Sequence, residues 1–160
     1  MATENGRAEL RGLYTDPAQP LTVAVGQAFD LVSMPAAVGH TALRALRARR
    51  VRLGPVVADS RRSVMRVGFL VEPAAEPHTR DGAGHAETAA LRDSAGRLGA
   101  ALGVRVGGRG STATLPPLLP WRGWLHWLVP PGGAALLWTP AGALLSVLSV
   151  LSERSGARAL

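Results

Sequence analysis

From Gly123 to Ser152 the chain carries no Asp, Glu, Lys or Arg. A stretch of that length without charge belongs either in a bilayer or in a protein core. Pro130, Pro131, Gly132, Gly133 and Pro140 interrupt it, and only about twelve residues separate Pro140 from Glu153. A spanning helix needs roughly twenty apolar residues, so the remainder is too short to cross. Within it Leu144, Leu145, Leu148 and Leu151 recur at helical spacing, while Ser146, Ser149 and Ser152 form a polar stripe. That pattern predicts an amphipathic helix packed on a core, with Thr139 as its N-cap and Pro140 at its first position. Met1 to Gln19 is polar and carries both signs, with no secretory pattern. No membrane partner is implied, and a cytoplasmic setting is expected.

The chain has 160 residues, 47% of them hydrophobic and 18% charged, enough for one domain with a buried core. It has no Cys, which excludes a disulfide scaffold, a thiolate metal site and a cysteine nucleophile. The net charge of +7 comes entirely from Arg, for there is no Lys. The absence of Ile and the single Asn, Asn5, point to a GC-rich coding sequence, and part of the Arg content follows from that. The placement of the charge does not. Residues 40–66 hold Arg44, Arg47, Arg49, Arg50, Arg52, Arg61, Arg62 and Arg66 against one acid, Asp59. Uniform codon bias does not cluster charge in this way.

Strands are expected over Leu21–Gly26, Ala28–Val32, Pro55–Ala58, Val64–Val71, Ser111–Leu115 and Trp124–Val129. The run VMRVGFLV reads as a central strand. Pro35 opens a helix to about Arg50, in which Val38, Ala42, Ala45 and Leu46 form the apolar face and Arg44, Arg47 and Arg50 share another. Gly39 weakens that helix slightly. Gly54-Pro55 reads as a turn, a short helix is expected over Thr88–Ala101, and Gly103–Arg109 is read as turn-rich. The fold class expected is α+β, a single domain with a mixed sheet and flanking helices. The domain spans residues 20–152, with a flexible segment at 1–19, a long loop at about 72–90 and a tail at 153–160.

Chemistry-bearing motifs are sparse. Gly107-Gly108-Arg109-Gly110-Ser111-Thr112 is glycine-rich, but a strand rather than a helix follows it, so a plain turn is favoured over a phosphate cradle. No Asp-x-Asp pair is present for two-metal chemistry; Asp30, Asp59, Asp81, Glu87 and Asp93 are scattered. His40, His78, His85 and His126 do not fall at metal-ligand spacing, and no Gly-x-Ser-x-Gly elbow occurs. No catalytic residue, metal ligand or cofactor is assigned. Trp121, Trp124 and Trp127 recur every three residues; aromatics beside Arg can stack bases, although structural use is favoured here.

The ordered set LTVAVGQAFDLVSMP, VMRVGFLVEP, LGVRVGGRGSTATLPP and WLHWLVPP resembles the bifunctional DNA primase/polymerase N-terminal domain of the archaeo-eukaryotic primase superfamily, in the short stand-alone form found in GC-rich actinobacteria. The resemblance runs from about Leu21 to Ser152. It implies a modified RNA-recognition-like sheet and, in active members, nucleotide polymerisation with two divalent metals. Three motifs carry that activity. Where the first has its carboxylates this chain has Ser33 and Pro35. Where the second has His, opening the central strand, the sequence reads Val64-Met65-Arg66-Val67-Gly68. Where the third has Asp, it has Gly103. Ser, Pro and Gly do not supply the anionic oxygens that two metals require.

The function expected is therefore that of a primase/polymerase-like domain without its catalytic groups, leaning away from an enzyme. Arg44, Arg47, Arg50, Arg52, Arg61 and Arg62 are the expected contacts to the phosphates of single- or double-stranded nucleic acid. A protein-interaction or regulatory module whose Arg cluster meets an acidic protein is the alternative, and a weakly active primase/polymerase a second. Oligomeric state is not legible in the sequence.

Overall fold

Val67, Gly68, Phe69, Leu70 and Val71 are buried without interruption. A strand with both faces buried must lie inside a sheet that is covered on both sides. The computed structural model describes residues 10, 12–74, 83–119, 123–132 and 138–157. In chain order the elements are β1 (Leu21–Ala24), β2 (Asp30–Pro35), α1 (Ala36–Ala48), β3 (Val56–Asp59), β4 (Arg66–Val71), α2 (Ala83–Asp93), α3 (Ala95–Leu102), β5 (Arg105–Gly107), β6 (Thr112–Leu115), β7 (Leu125–Val129) and α4 (Ala141–Ala157).

Five strands form one sheet in the order β5-β2-β4-β3-β7, and β1 and β6 form a separate pair. β4 is the central strand, as the apolar run predicts. The elements make a single α+β domain. The helices lie on one face of the large sheet. Val32 and Met34 of β2, Val56 of β3, and Val67, Phe69 and Val71 of β4 meet Leu43 and Leu46 of α1, Leu91 of α2, Leu98 of α3, and Leu144 and Leu148 of α4 in one core. Alternation sends Val57 and Leu70 to the other face. There they pack with Phe29, Leu125, and Ala113 and Leu115 of the small pair. Leu10 joins this second core, and the Tyr14 hydroxyl donates to the Pro116 carbonyl at 2.6 Å, so part of the expected flexible N-terminal segment is docked.

α1 lies close to the sheet because Gly39 has no side chain. A Cβ there would sit 2.4 Å from Cβ of Val67. The glycine that lowers helix propensity is thus the point of contact between helix and sheet.

Several finer expectations differ. Every named strand pair is antiparallel, not mixed; the parallel contact among the described residues is the isolated bridge between Val71 and Thr139. β2 and β3 do point the same way with α1 between them, but β4 is inserted between the two and pairs antiparallel with both. Arg105–Gly107, read as a turn, adds to β2; three residues beside glycines are too few to show alternation. The expected loop at 72–90 turns helical at Ala83, where repeated Ala outweighs the glycine signals. One helix over Thr88–Ala101 is instead two, α2 and α3, meeting at Ser94. The ladder persists across that joint, from the Ser94 amide to Ala90 and from the Leu98 amide to Ser94. α4 continues to Ala157, into the expected tail. The Thr139 hydroxyl, expected at a helix cap, accepts from the Gly54 amide at 3.1 Å and ties the start of β3 to the start of α4. No helix among the described residues is long and apolar enough to cross a membrane.

Candidate nucleic-acid interface

β2 and β3 end, and β4 and β7 begin, along one end of the sheet, because Pro35 pairs with Arg66 while Asp59 pairs with both Arg66 and Leu125. The turn from β3 to β4 is held there by its own polar groups. The Ser60 amide donates to the Trp124 carbonyl at 2.6 Å. Asp59 Oδ1 accepts from the Arg61 amide at 3.0 Å, and the Arg61 guanidinium grips both carboxylate oxygens at 2.9 and 2.7 Å. That fork holds the Asp59 carboxyl below its ordinary range and raises the Arg61 guanidinium. Arg62, beside it, is exposed and makes no ion pair among the described residues.

Behind this turn, on the face opposite the helices, a cleft of about 260 Å³ opens between the sheet and β6. Ser33, Asp59, Arg61, Arg62, Arg66 and Thr114 supply its polar wall. Arg66 sits deepest. Its Nη2 donates to the carbonyl oxygens of Ser33 and Gly103, both at 2.9 Å, and Nε and Nη2 each lie 3.3 Å from Ser33 Oγ. No carboxylate meets it among the described residues. Burial, reinforced by the neighbouring Arg105, pushes its guanidinium below the ordinary value, but arginine stays charged. The cleft therefore holds cations in excess of acids.

Ser33 and Gly103, distant in sequence and singled out above by resemblance, meet at this guanidinium, and Pro35, singled out with them, pairs with Arg66 across the strands and lies against Gly103. A Cβ on Gly103, which has φ +70°, would stand 3.0 Å from Pro35 Cγ. A divalent ion placed among these residues would face a fixed positive charge instead of carboxylates. Among the described residues no three His, Cys, Asp or Glu side chains gather as a metal cage. Asp30 is directed to the helix side, as its strand phase predicts. It is fully buried, with Oδ2 held by Arg92 at 2.8 Å and by the Ala74 amide at 3.2 Å, while Oδ1 finds no partner.

The six arginines expected to form one basic surface occupy two. Arg61 and Arg62 line the cleft. Arg44 and Arg47 lie on the exposed side of α1 with His40, and Arg50 and Arg52 follow its end. α1 covers the face of β2 and β4 that is turned away from the cleft, and it runs from the Pro35 end toward the opposite end of the sheet. A charge count along the chain cannot see a sheet standing between neighbouring segments.

Two groups escape sequence reasoning. Arg66 belongs to the charge-dense window but not to the expected contacts; the available signal was a lone charge inside an apolar strand. Trp124 is 73% exposed at the foot of β7, although structural use was favoured for these indoles. Trp127 does have that use, its Nε1 donating to the Pro117 carbonyl at 3.0 Å. Trp121 and His78 lie outside the described residues. His85 is on α2 against the Pro73 carbonyl, and His126 contacts the Gly123 carbonyl at 3.1 Å. The glycine-rich segment closes as a turn, the Ser111 amide donating to Gly108 at 3.0 Å, and leads into β6. Beside β7 lies an apolar groove of about 860 Å³ lined by Pro116, Pro117, Leu119, Trp124, Trp127 and Pro130. No family model, curated protein or solved structure matches this chain.

Proposed function

We propose that this domain is a non-catalytic, primase/polymerase-like protein that binds single-stranded nucleic acid at the cleft end of its sheet. The observation that carries the reading is Arg66. Its guanidinium stands among Ser33, Pro35 and Gly103, where the resemblance expects metal-binding carboxylates, and replaces a metal-binding chemistry with an anion-binding one. Arg62 adds exposed charge at the rim. Trp124, tied through its carbonyl to the turn that carries Arg62, offers a flat apolar surface. Phosphate-binding arginines beside an exposed indole suit unpaired bases, which stack without regard to sequence.

The test is fluorescence anisotropy of a labelled single strand and a labelled duplex at low and near-physiological salt. Single strands should bind more tightly, with log K falling against log salt by about 0.7 per phosphate neutralised. Trp124→Ala should weaken single-strand binding by about 5- to 100-fold, the worth of one stacked base. Primer extension with magnesium or manganese should give no product; extension would restore the enzymatic reading.

The apolar groove beside β7 supports a second reading, a protein-interaction module. Failure to bind any oligonucleotide at either salt would favour it.

A further inference from the structure

The arginines at the far end of α1 are not absorbed by the cleft. Arg44, Arg47, Arg49, Arg50 and Arg52 are all exposed, and none makes an ion pair among the described residues. Arg44 reaches Thr41 at 3.4 Å and Arg49 reaches Ser146 at 3.3 Å, contacts that leave both charges unneutralised. A helix C-terminus favours a nearby cation. Five arginines within nine residues exceed what one helix end requires.

The conformation of Arg50 is a second, independent observation. The Arg50 amide donates to Arg47 at 2.9 Å and the Val51 amide to Leu46 at 3.0 Å, which is the Schellman arrangement with Arg50 at C′. Its φ is +56°, the left-handed region that glycine enters freely and a side-chain-bearing residue enters at a cost. Glycine codons are as GC-rich as arginine codons, so base composition does not account for Arg in this place. An arginine at a position better suited to glycine is a local backbone cost of the kind that functional surfaces carry.

This surface is separated from the cleft by the sheet and by the length of α1. Thirteen helical residues span roughly 20 Å, and helix plus sheet add on the order of 10–15 Å. That exceeds the Debye length of about 8 Å at physiological salt, so polyanions held at the two surfaces repel one another weakly. None of the large apolar side chains exposed among the described residues lies on α1. The surface therefore suits phosphate alone, and a duplex backbone presents phosphate at about twice the density of a single strand.

We propose that the α1 end is a second phosphate-binding surface, and that one copy of the chain bridges two nucleic-acid segments: a single strand in the cleft and a duplex backbone on Arg44, Arg47, Arg50 and Arg52. The bridging rests on the reading of the cleft given above. The test immobilises a single strand on beads and measures recruitment of a fluorescent duplex by the full chain, with single-strand affinity followed separately by anisotropy. The wild type should recruit the duplex. The Arg47→Gln, Arg50→Gly variant should bind the single strand within about twofold of wild type and recruit at least fivefold less duplex. The Arg62→Gln, Trp124→Ala variant should lose the single strand yet still bind free duplex. Equal loss of single-strand affinity in both variants would mean one continuous site and overturn the proposal. Normal single-strand binding with no recruitment by the wild type would overturn bridging and leave the cleft reading standing. No single-strand binding by the wild type would defeat the cleft reading and bridging together, and retained duplex binding would then isolate the α1 surface. Recruitment restored by mixing the two variants would assign bridging to associated chains and overturn it for a single copy.

Discussion

The Arg66 guanidinium donates to the Ser33 carbonyl at 2.9 Å, so a cation on the central strand is held by its neighbour's backbone and not by an acid. The same Nη2 reaches Gly103. Arg66→Ala should lower stability by about 1–3 kcal/mol, the cost of stranding partly buried acceptors, and should weaken single-strand binding. Arg66→Lys keeps the charge but lacks the planar guanidinium that meets Ser33 Oγ through Nε while Nη2 reaches the two carbonyls. It should retain most of the affinity and recover only part of the stability. Urea denaturation and anisotropy on the two variants separate these contributions.

Gly39→Ala should destabilise the fold although alanine is the better helix former. The propensity gain is about 1 kcal/mol. Against it stands a Cβ 2.4 Å from Val67 Cβ on a buried strand that cannot yield. A net loss of about 1–3 kcal/mol is expected, read as a lower denaturation midpoint. A gain would mean that α1 shifts outward without cost.

Arg50→Gly should act in the opposite direction. It relieves the left-handed backbone at φ +56°, and the greater freedom of glycine in the unfolded chain returns part of that gain. A net stabilisation of about 0.5–1 kcal/mol is expected, a rise of about 1–4 °C in Tm by calorimetry.

Asp30 sets a pH dependence. Burial raises its carboxyl above the ordinary value, and the Ala74 amide and Arg92 oppose this only in part. Between the unfolded value of about 3.9 and the higher folded value, the folded chain holds more protons than the unfolded one. Stability from this group therefore falls as pH rises through that window and returns on acidification. Compared with Asp30→Asn, wild type should gain stability from pH 7 toward pH 4 in urea titrations. A wild-type advantage that grows with pH would show that Arg92 outweighs burial.

The elements that declare themselves in the sequence are those with long periodicity. β4 is legible from VGFLV, α1 from Ala42 and Leu46, and α4 from the leucines after Pro140, because each buries a regular stripe. β5 is not, since Arg105–Gly107 owes its strand conformation to the edge of β2. At the site, the clustering of arginines is visible along the chain, but their division into two surfaces is not, because β2 and β4 separate them only after folding. Ser33, Arg66 and Gly103 lie far apart in sequence, and no local pattern announces that they share one guanidinium.

β4 lies between β2 and β3, two strands that precede it in the chain and run the same way. During synthesis, β2, α1 and β3 therefore emerge with a gap where their shared hydrogen-bonding partner belongs. A nascent chain that ends before Val71 has no sheet to close, so the ribosome must deliver the last of these strands before the first two can be used.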